Sequence, residues 1–393
     1  MTDQKFELNQ NNKVLPLIMI AIGVAAVATG FFSDPTRTWA SLLISNFYFN
    51  AIALAGIFFV AVQMIAQSGW SVALIRVPEA MSGFMKFGML GMILIFIFGH
   101  HDLYHWTHPE LYDKTSPEYD AILDGKSGFL NITFYMVRII AYALIWVGFA
   151  WMIRKKSLEE DAIGGVEPYR RKITLSAIFI VLFAITSSTS AWDFLMSIDS
   201  HWFSTLFGWY TFAGLFVSGM SMIALLTLYL KRRGYMGHIN ESHLHDVGKF
   251  MFAFSIFWTY LWFSQFMLIW YANLPEEVVY YQTRWQYFKK LWVGNLLVNF
   301  IAPFLVLMTR DAKRKTAILW VAGIIIIIGH WLDVYLMVTP GTVGAHWHIG
   351  FIEIGTFIGY LGLFLFSTFR ELSKAALVPK NHPMLSESLH HHI

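Results

Sequence analysis

Several acidic and imidazole side chains interrupt stretches of this sequence that are otherwise apolar. His330 and Asp333 are three residues apart, which places them on one face of a helix. Asp193 follows a run of hydroxyl residues, and Glu353 stands inside another apolar stretch. Because an ionisable group inside a membrane span costs several kcal/mol unless it is paired or hydrated, each of these residues needs a partner or a function. Histidine and a carboxylate of perturbed pKa can exchange protons near neutral pH, so these residue types are typical of a proton path.

Further polar residues belong to the same candidate site. Arg138 lies inside an apolar stretch, and three polar residues end another one at 100–102. We interpret eight residues as one candidate cluster that lines a quinone site or a proton path: His100, His101, Asp102, Arg138, Asp193, His330, Asp333 and Glu353. The alternative is that they are helix-end residues at the membrane surface and ordinary hydrogen bonds between helices.

Other polar patterns have simpler interpretations. Asn46 and Asn50 are four residues apart, as are Asn295 and Asn299, and each pair is typical of helix packing. The tract His390–His392 could bind a metal weakly, but we expect a disordered tail there. The sequence therefore predicts neither a metal site nor a catalytic residue of its own.

The elements that must position these residues are membrane helices. Of the 393 residues, 56% are hydrophobic and 13% are charged, and the mean hydropathy is +0.53. A soluble domain has about a quarter of its residues charged, so a soluble enzyme and a disordered chain are both excluded. Apolar runs of about 20 residues predict helices rather than a barrel. We expect an all-α polytopic membrane protein that forms one integral domain over residues 1–393, with ten spans at about Val14–Phe32, Leu42–Ala66, Ala80–Gly99, Phe129–Ile153, Ile173–Met196, Phe203–Leu230, Phe250–Asn273, Leu291–Thr309, Thr316–Val338 and Ile349–Phe369.

Lysine and arginine predict the orientation of these spans. With ten spans, 21 of the 28 basic residues fall on the side that holds both termini, six fall on the other side, and Arg138 lies within a span. Cytoplasmic loops carry the excess of Lys and Arg, so both termini are predicted to be cytoplasmic and the candidate cluster to lie toward the outer surface. The net charge of +3 gives no reason to expect a nucleic-acid partner.

The absence of cysteine limits the cofactors of this chain. Disulfides, covalently attached haem and thiolate-bound iron–sulfur clusters are excluded. A haem b would need two histidines on facing helices, for which His100 or His101 with His330 is the formal candidate. Since histidines inside helices near mid-membrane are otherwise lacking, we predict that the chain binds no haem.

Two long segments resemble a known family. Ala191–Gly214, AWDFLMSIDSHWFSTLFGWYTFAG, resembles the NrfD-like membrane subunits of the polysulfide-reductase type, especially those of alternative complex III. Trp258–Glu277, WTYLWFSQFMLIWYANLPEE, is similar to the second quinone-binding-type subunit of that complex, called ActF, and GHHDLYHWTHPELYD at Gly99–Asp113 fits the same family. The resemblance extends over essentially all ten spans, and the two long segments are specific.

The resemblance implies an architecture and a set of partners. It implies two four-helix bundles, at 42–196 and 203–338, flanked by the first and last helices. The chain would be a multi-pass subunit of a quinol:cytochrome c, or other quinol:acceptor, oxidoreductase complex in a bacterial inner membrane. Its partners would be membrane lipid, a homologous NrfD-like subunit, periplasmic iron–sulfur and multihaem cytochrome c subunits, and a terminal oxidase where one is attached. Quinone or menaquinone would be its only cofactor, and in an ActF-type chain proton transfer or structural support is as serious a role as quinone binding.

Two other classes of function remain open. A secondary transporter would show discontinuous helices near mid-membrane, and of the candidate prolines only Pro303 is central to a span. A purely structural membrane anchor of a redox complex is the other alternative, and the concentration of polar residues in the outer half argues against it.

Overall fold

The computed structural model describes residues 4–392 as an all-α polytopic membrane protein. Within these residues, ten helices are long and apolar enough to cross a membrane, which confirms the predicted fold class and the ten spans. We number them α1 to α10, with bounds Gln10–Ser33, Pro35–Ile65, Val72–Leu103, Ile132–Ile163, Val166–Phe194, Leu206–Arg232, Glu241–Ala272, Lys289–Leu307, Thr316–Thr342 and Phe351–Leu372. Shorter helices lie outside the spans at Ala121–Lys126, Pro275–Tyr287 and Leu385–Leu389.

Capping residues and glycines set the ends of the helices. Asp34 separates α1 from α2, and its side chain accepts a hydrogen bond from the backbone N–H of Arg37. Pro35 follows at the first position of α2, where no N–H donor is needed. Between α4 and α5, Gly164 and Gly165 have φ angles of +70° and +84°, in the region that glycine adopts without strain. These short connections make each pair of helices antiparallel neighbours.

The helices pack as two groups of four. In the first group α2 contacts α3 and α5, and α4 contacts α3 and α5; in the second, α6 contacts α7 and α9, and α8 contacts α7 and α9. The two groups meet where α2 packs against α6 and α9, and where α5 packs against α6. Most residues of α2 and α6 are buried, so these two helices form the centre of the protein.

α1 and α10 pack against each other outside the two groups, and α10 also contacts α2. Glycine permits the close approach, because a Cβ atom on Gly23 would lie 2.4 Å from the Cα atom of Gly359. A Cβ on Gly355 would lie 2.4 Å from the Cβ of Ala26. Contacts between small residues let membrane helices pack backbone to backbone, where lipid provides no hydrophobic driving force.

Both termini lie at one end of the helices. Lys5 forms an isolated antiparallel backbone bridge with Ala376, and the N–H of Leu377 donates to the carbonyl of Gln4 at 2.9 Å. We call this the terminal end, and the opposite one the distal end.

The C-terminal histidine tract is held at the terminal end, so the prediction of a disordered tail there is wrong. The amide of Asn240 donates to the carbonyl of His391 at 2.7 Å, and the Nε2 atom of His391 lies 2.6 Å from a carboxylate oxygen of Asp246. Polar groups at the start of α7 therefore capture a segment whose composition alone indicated disorder.

Candidate functional site

The structure places the predicted site residues at the distal ends or in the distal halves of their helices, but it does not bring them together as one hydrogen-bonded cluster. Five of them fall into three separate groups: Arg138 with Asp193, His330 with Asp333, and Glu353 with Arg37, which was not among the predicted residues. No hydrogen bond found among the described residues joins one group to another. Each carboxylate accepts hydrogen bonds from side chains of other helices.

Arg138 and Asp193 form a buried ion pair between α4 and α5. The Nε and Nη2 atoms of Arg138 donate to the two carboxylate oxygens, each at 2.8 Å, and the hydroxyl of Tyr142 donates to one of them at 2.6 Å. Asp193 is 0% exposed. The guanidinium also lies over the rings of Phe129 and Phe134, at 4.0 and 4.4 Å from their centroids. This bidentate geometry neutralises the carboxylate with a fixed charge and ties the two helices together.

Glu353 forms a second buried ion pair, which joins α10 to α2. The Nε and Nη2 atoms of Arg37 donate to its carboxylate oxygens at 2.5 and 2.6 Å, and the backbone N–H of Gly350 donates at 2.8 Å. The sequence prediction began this span at Leu42 and left Arg37 in a loop. Because α2 begins at Pro35 instead, Arg37 lies within the helix and faces Glu353.

Asp333 lies in the distal half of α9, where donors from three other helices surround it. The hydroxyl of Tyr210 on α6 donates to one carboxylate oxygen, as does the amide of Asn295 on α8 at 2.7 Å. The indole Nε1 of Trp258 on α7 donates to the other oxygen at 2.9 Å. Asp333 is 2% exposed, and among the described residues neither a lysine nor an arginine pairs with it. Its charge is therefore stabilised by hydrogen bonds from neutral donors alone.

His330 lies one turn deeper than Asp333 on the same helix. Its Nδ1 atom is 3.9 Å from the carboxylate of Asp333, and neither ring nitrogen has a hydrogen-bond partner within the described residues. Gly214 makes room for the ring, because a Cβ there would lie 3.3 Å from Nδ1, and Trp258 meets the ring edge-on at 5.2 Å. A shift of roughly 1 Å would bring the imidazole within hydrogen-bond distance of the carboxylate.

A π-helical turn in α8, Leu297–Ile301, adjoins the Asp333 group. The amide of Asn299 donates to the side chain of Asn295 at 2.6 Å and to the carbonyl of Gly329 at 2.9 Å. A Cβ on Gly329 would lie 2.3 Å from the Oδ1 of Asn299, so glycine is required for this contact. The pair packs helices as the spacing predicts, and it also orients the amide that contacts Asp333. Single π turns occur frequently at functional sites.

A small cavity lies between Asp333 and the distal surface. Its volume is about 20 Å³, roughly the space that one water molecule needs. It is lined by aromatic and polar side chains that include Tyr210, Gln265, Tyr281, Arg284, Asn295 and Asp333. Beyond it, Arg284 donates to Asp199 at 3.2 Å, and the side chain of Asp199 is 26% exposed. Polar groups thus extend from the buried carboxylate to the surface.

The loop at 274–290 covers this cavity. Much of it forms the helix Pro275–Tyr287, which packs on the chain itself. Arg284 donates from Nε to the carbonyl of Leu336 at 3.1 Å, and its guanidinium lies 3.3 Å from the ring centroid of Tyr280.

His100, His101 and Asp102 lie at the distal surface, apart from the buried groups. His100 contacts a backbone carbonyl of its own helix at 2.9 Å, and the ring of His101 lies against that of His108 with centroids 3.9 Å apart. Asp102 accepts a hydrogen bond from Thr36 at 2.9 Å. These are the contacts of helix-end residues. Among the described residues, the structure has no group of three or more His, Asp or Glu side chains that could hold a metal ion.

Three donors to Asp333 were absent from the predicted set. Tyr210 and Trp258 lie inside the two segments that carry the family resemblance, which was the available signal for them. Asn295 was assigned to helix packing only.

No model of a known protein family matches this chain, and no curated protein sequence matches it.

Proposed function

We propose that this chain is an integral membrane subunit of a quinol:cytochrome c, or other quinol:acceptor, oxidoreductase complex, and that its own part is proton transfer toward the outer side of a bacterial inner membrane. The resemblance of Ala191–Gly214 and Trp258–Glu277 to NrfD-like subunits supports the assignment to the complex. The observation that carries the proton role is the chemistry around Asp333. In this proposal both termini are cytoplasmic, so the distal end faces outward.

The three buried carboxylates of the site differ in how their charge is balanced. Arginine neutralises Asp193 and Glu353 through two hydrogen bonds each. Asp333 accepts hydrogen bonds from neutral donors only, so it becomes neutral inside the membrane by binding a proton. The same donors stabilise the ionised form, which lets this carboxyl alternate between two protonation states.

Neighbouring groups give the proton a route. His330 lies on the inner side of Asp333 and offers two ring nitrogens that no described residue occupies. On the outer side, the water-sized cavity leads past Arg284 to Asp199 at the surface. Proton transfer needs groups within hydrogen-bond reach or joined by one water. The cavity beside Asp333 has room for one such water, and a shift of roughly 1 Å would bring His330 within reach of the carboxylate.

The space beside Asp333 suits a proton better than a quinone. A cavity of about 20 Å³ holds a water molecule but not a quinone ring. Two larger cavities, of about 390 and 430 Å³, lie along α1 and α10 and have mainly apolar walls. We therefore propose that quinol oxidation belongs to the whole complex. Its other proposed subunits are a homologous NrfD-like subunit and outer-side iron–sulfur and multihaem cytochrome subunits. We propose no haem or iron–sulfur cluster in this chain.

The two rival functions explain the site less well. A transporter would have helices interrupted at the substrate site, whereas α8 passes Pro303 with a single π turn and α9 is continuous through His330 and Asp333. A structural anchor accounts for the two arginine–carboxylate pairs. It gives no reason for a buried carboxylate without a cation, because an apolar group would pack there at lower cost.

Purification in mild detergent, followed by subunit identification and a haem spectrum, tests the assignment to a complex. We expect multihaem and iron–sulfur proteins to copurify. An isolated homo-oligomer would point to a transporter.

The Asp333→Asn variant tests the proton role, because it keeps the size and shape of the side chain but removes the titrating group. We expect an assembled complex whose quinol-driven proton release falls by about 100-fold or more, the contribution typical of a positioned proton-transfer group. Asp311→Asn, an exposed carboxylate at the terminal end, is the matched control. Unchanged turnover, proton release and pH dependence in Asp333→Asn would make the group structural.

A further inference from the structure

We propose that the terminal end of the protein holds a binding site for an anionic phospholipid, in a cavity of about 370 Å³ between α3, α4 and α10. The cavity is far along the helices from the Asp333 group, and the inference does not depend on the function proposed above. It rests on the charge of the rim, the apolar character of the wall and the position of both.

The floor of the cavity is a compact ionic group that is balanced within itself. Glu79 accepts hydrogen bonds from Arg76, at 3.0 Å, and from Arg154. Arg76 also pairs with Asp161. Two arginines thus face two carboxylates, and this part of the site contributes no net charge.

The rim, by contrast, is positively charged. Lys86 and Lys374 share one carboxylate, that of Glu371, at 3.7 and 2.6 Å, and their side chains are 46% and 49% exposed. Lys155 lies over the ring of Trp151 at 5.0 Å and forms no ion pair within 4 Å among the described residues, and the nearby Glu159 is paired with Lys156. Three lysines against one carboxylate leave two positive charges at the mouth of the cavity.

The wall of the cavity toward the membrane is apolar. Val147, Ala150 and Trp151 form it on α4, and the side chain of Trp151 is exposed, as is typical of an aromatic residue at the membrane boundary. A ligand that fills this space must therefore be apolar where it contacts α4 and anionic where it meets the lysines.

An anionic phospholipid has this combination of parts. Its phosphate would lie among Lys86, Lys155 and Lys374, and its acyl chain would follow the wall of α4 into the bilayer. Basic pockets between membrane helices are typical sites for such headgroups. A zwitterionic lipid carries its own cation and gains less from the rim, and free phosphate makes no use of the apolar wall.

Binding of short-chain phosphatidylglycerol to the purified full-length protein in detergent, followed by native mass spectrometry, tests the site. Each lysine near a phosphate contributes about a five-fold gain in affinity, so the triple variant K86Q/K155Q/K374Q should bind on the order of a hundred-fold more weakly. The matched control K5Q/K13Q/K249Q removes three exposed lysines from the same end, outside the cavity, and should bind as the wild type does.

Further arms of the experiment separate the ligand classes and guard against a misfolded variant. Glu371→Gln adds a net positive charge to the rim, so it should strengthen binding about five-fold. Phosphatidylcholine should bind far more weakly than phosphatidylglycerol, and millimolar inorganic phosphate should not displace the lipid. Equal affinities of the two triple variants, equal binding of the two lipids, or displacement by phosphate would overturn the proposal.

Discussion

Replacing Arg138 by glutamine should lower the free energy of unfolding by about 3–5 kcal/mol, the usual cost of removing one partner from a buried ion pair. The structure supports this size because the substitution removes two charge-assisted hydrogen bonds of 2.8 Å. Hydrogen bonds to charged groups are worth about 1.5–3 kcal/mol each. Asp193 would keep its bond to Tyr142 but would lose its cation at 0% exposure, so it would pay either for a buried charge or for binding a proton.

The cost should depend on the uncompensated charge rather than on the lost side chain. Asp193→Asn alone leaves Arg138 buried without a carboxylate, so it should be about as destabilising as Arg138→Gln. The double variant buries no charge, and we expect it to be less destabilised than either single variant. A double-mutant cycle should therefore give a coupling energy of at least about 2 kcal/mol, within the range for residues in direct contact.

Equilibrium unfolding by denaturant in mixed micelles measures these differences. The exposed pair Arg171–Glu167 is the matched control, because its atoms are also 2.8 Å apart while the side chains are 59% and 66% exposed. Arg171→Gln should cost less than about 1 kcal/mol. If Arg138→Gln falls within about 1 kcal/mol of this control, or if the two site substitutions are additive, the ion pair does not hold α4 on α5 as argued.

Three further predictions concern topology, helix packing and pH. A reporter that is active only in the periplasm should be inactive when fused after Lys380 and active when inserted near Ser116, and the reverse pattern would invert the proposed orientation. Gly359→Ile should destabilise the protein by more than about 3 kcal/mol, because even a Cβ there would lie 2.6 Å from the α1 backbone. The control Gly148→Ile, at a position with open space around it, should be nearly neutral in thermal unfolding. Burial lowers the pKa of His382 to about 3. The folded C-terminal segment therefore excludes a proton that the unfolded segment binds below about pH 6.5. The docking of this segment is fully stable above that pH and loses about 1.4 kcal/mol for each pH unit below it. Limited proteolysis should therefore cut this segment faster at about pH 5 than at about pH 7, and a tail of His382→Gln with the same acid sensitivity would contradict that cause.

The helices could be predicted from the sequence because the membrane sets one length for every span. A run of about 20 apolar residues has few alternatives in lipid, since each backbone group must be satisfied locally. The ends were less predictable, as α2 shows. Its first turn contains Pro35, Thr36 and Arg37, whose polarity suggested a loop, yet the helix continues through them. Apolar composition marks the part of a helix that lies in lipid, whereas capping residues such as Asp34 mark where the helix begins.

The depth of the polar residues was predictable in the same way, but their partners were not. Asp193 and Arg138 are 55 residues apart in sequence, and Glu353 and Arg37 are 316 apart. Which cation meets which carboxylate depends on how each helix is rotated against its neighbour. Periodicity places a residue on a face of its own helix, and it does not say what that face packs against. One expected cluster therefore became three groups.

The distinction that matters for function lies in the charge balance of these groups. The sequence gives Asp193 and Asp333 equal standing as acidic residues near the outer ends of apolar helices. In the structure an arginine pairs with the first and joins α4 to α5, while the second has three neutral donors and no cation among the described residues. Replacing a buried polar group and its partners by apolar residues of similar volume is often neutral or stabilising, so fold stability does not require Tyr210, Trp258 and Asn295 to converge on a carboxylate. Proton transfer does require such a group, which is why the proposed function rests on Asp333, with His330 one turn deeper and a water-sized cavity on its distal side.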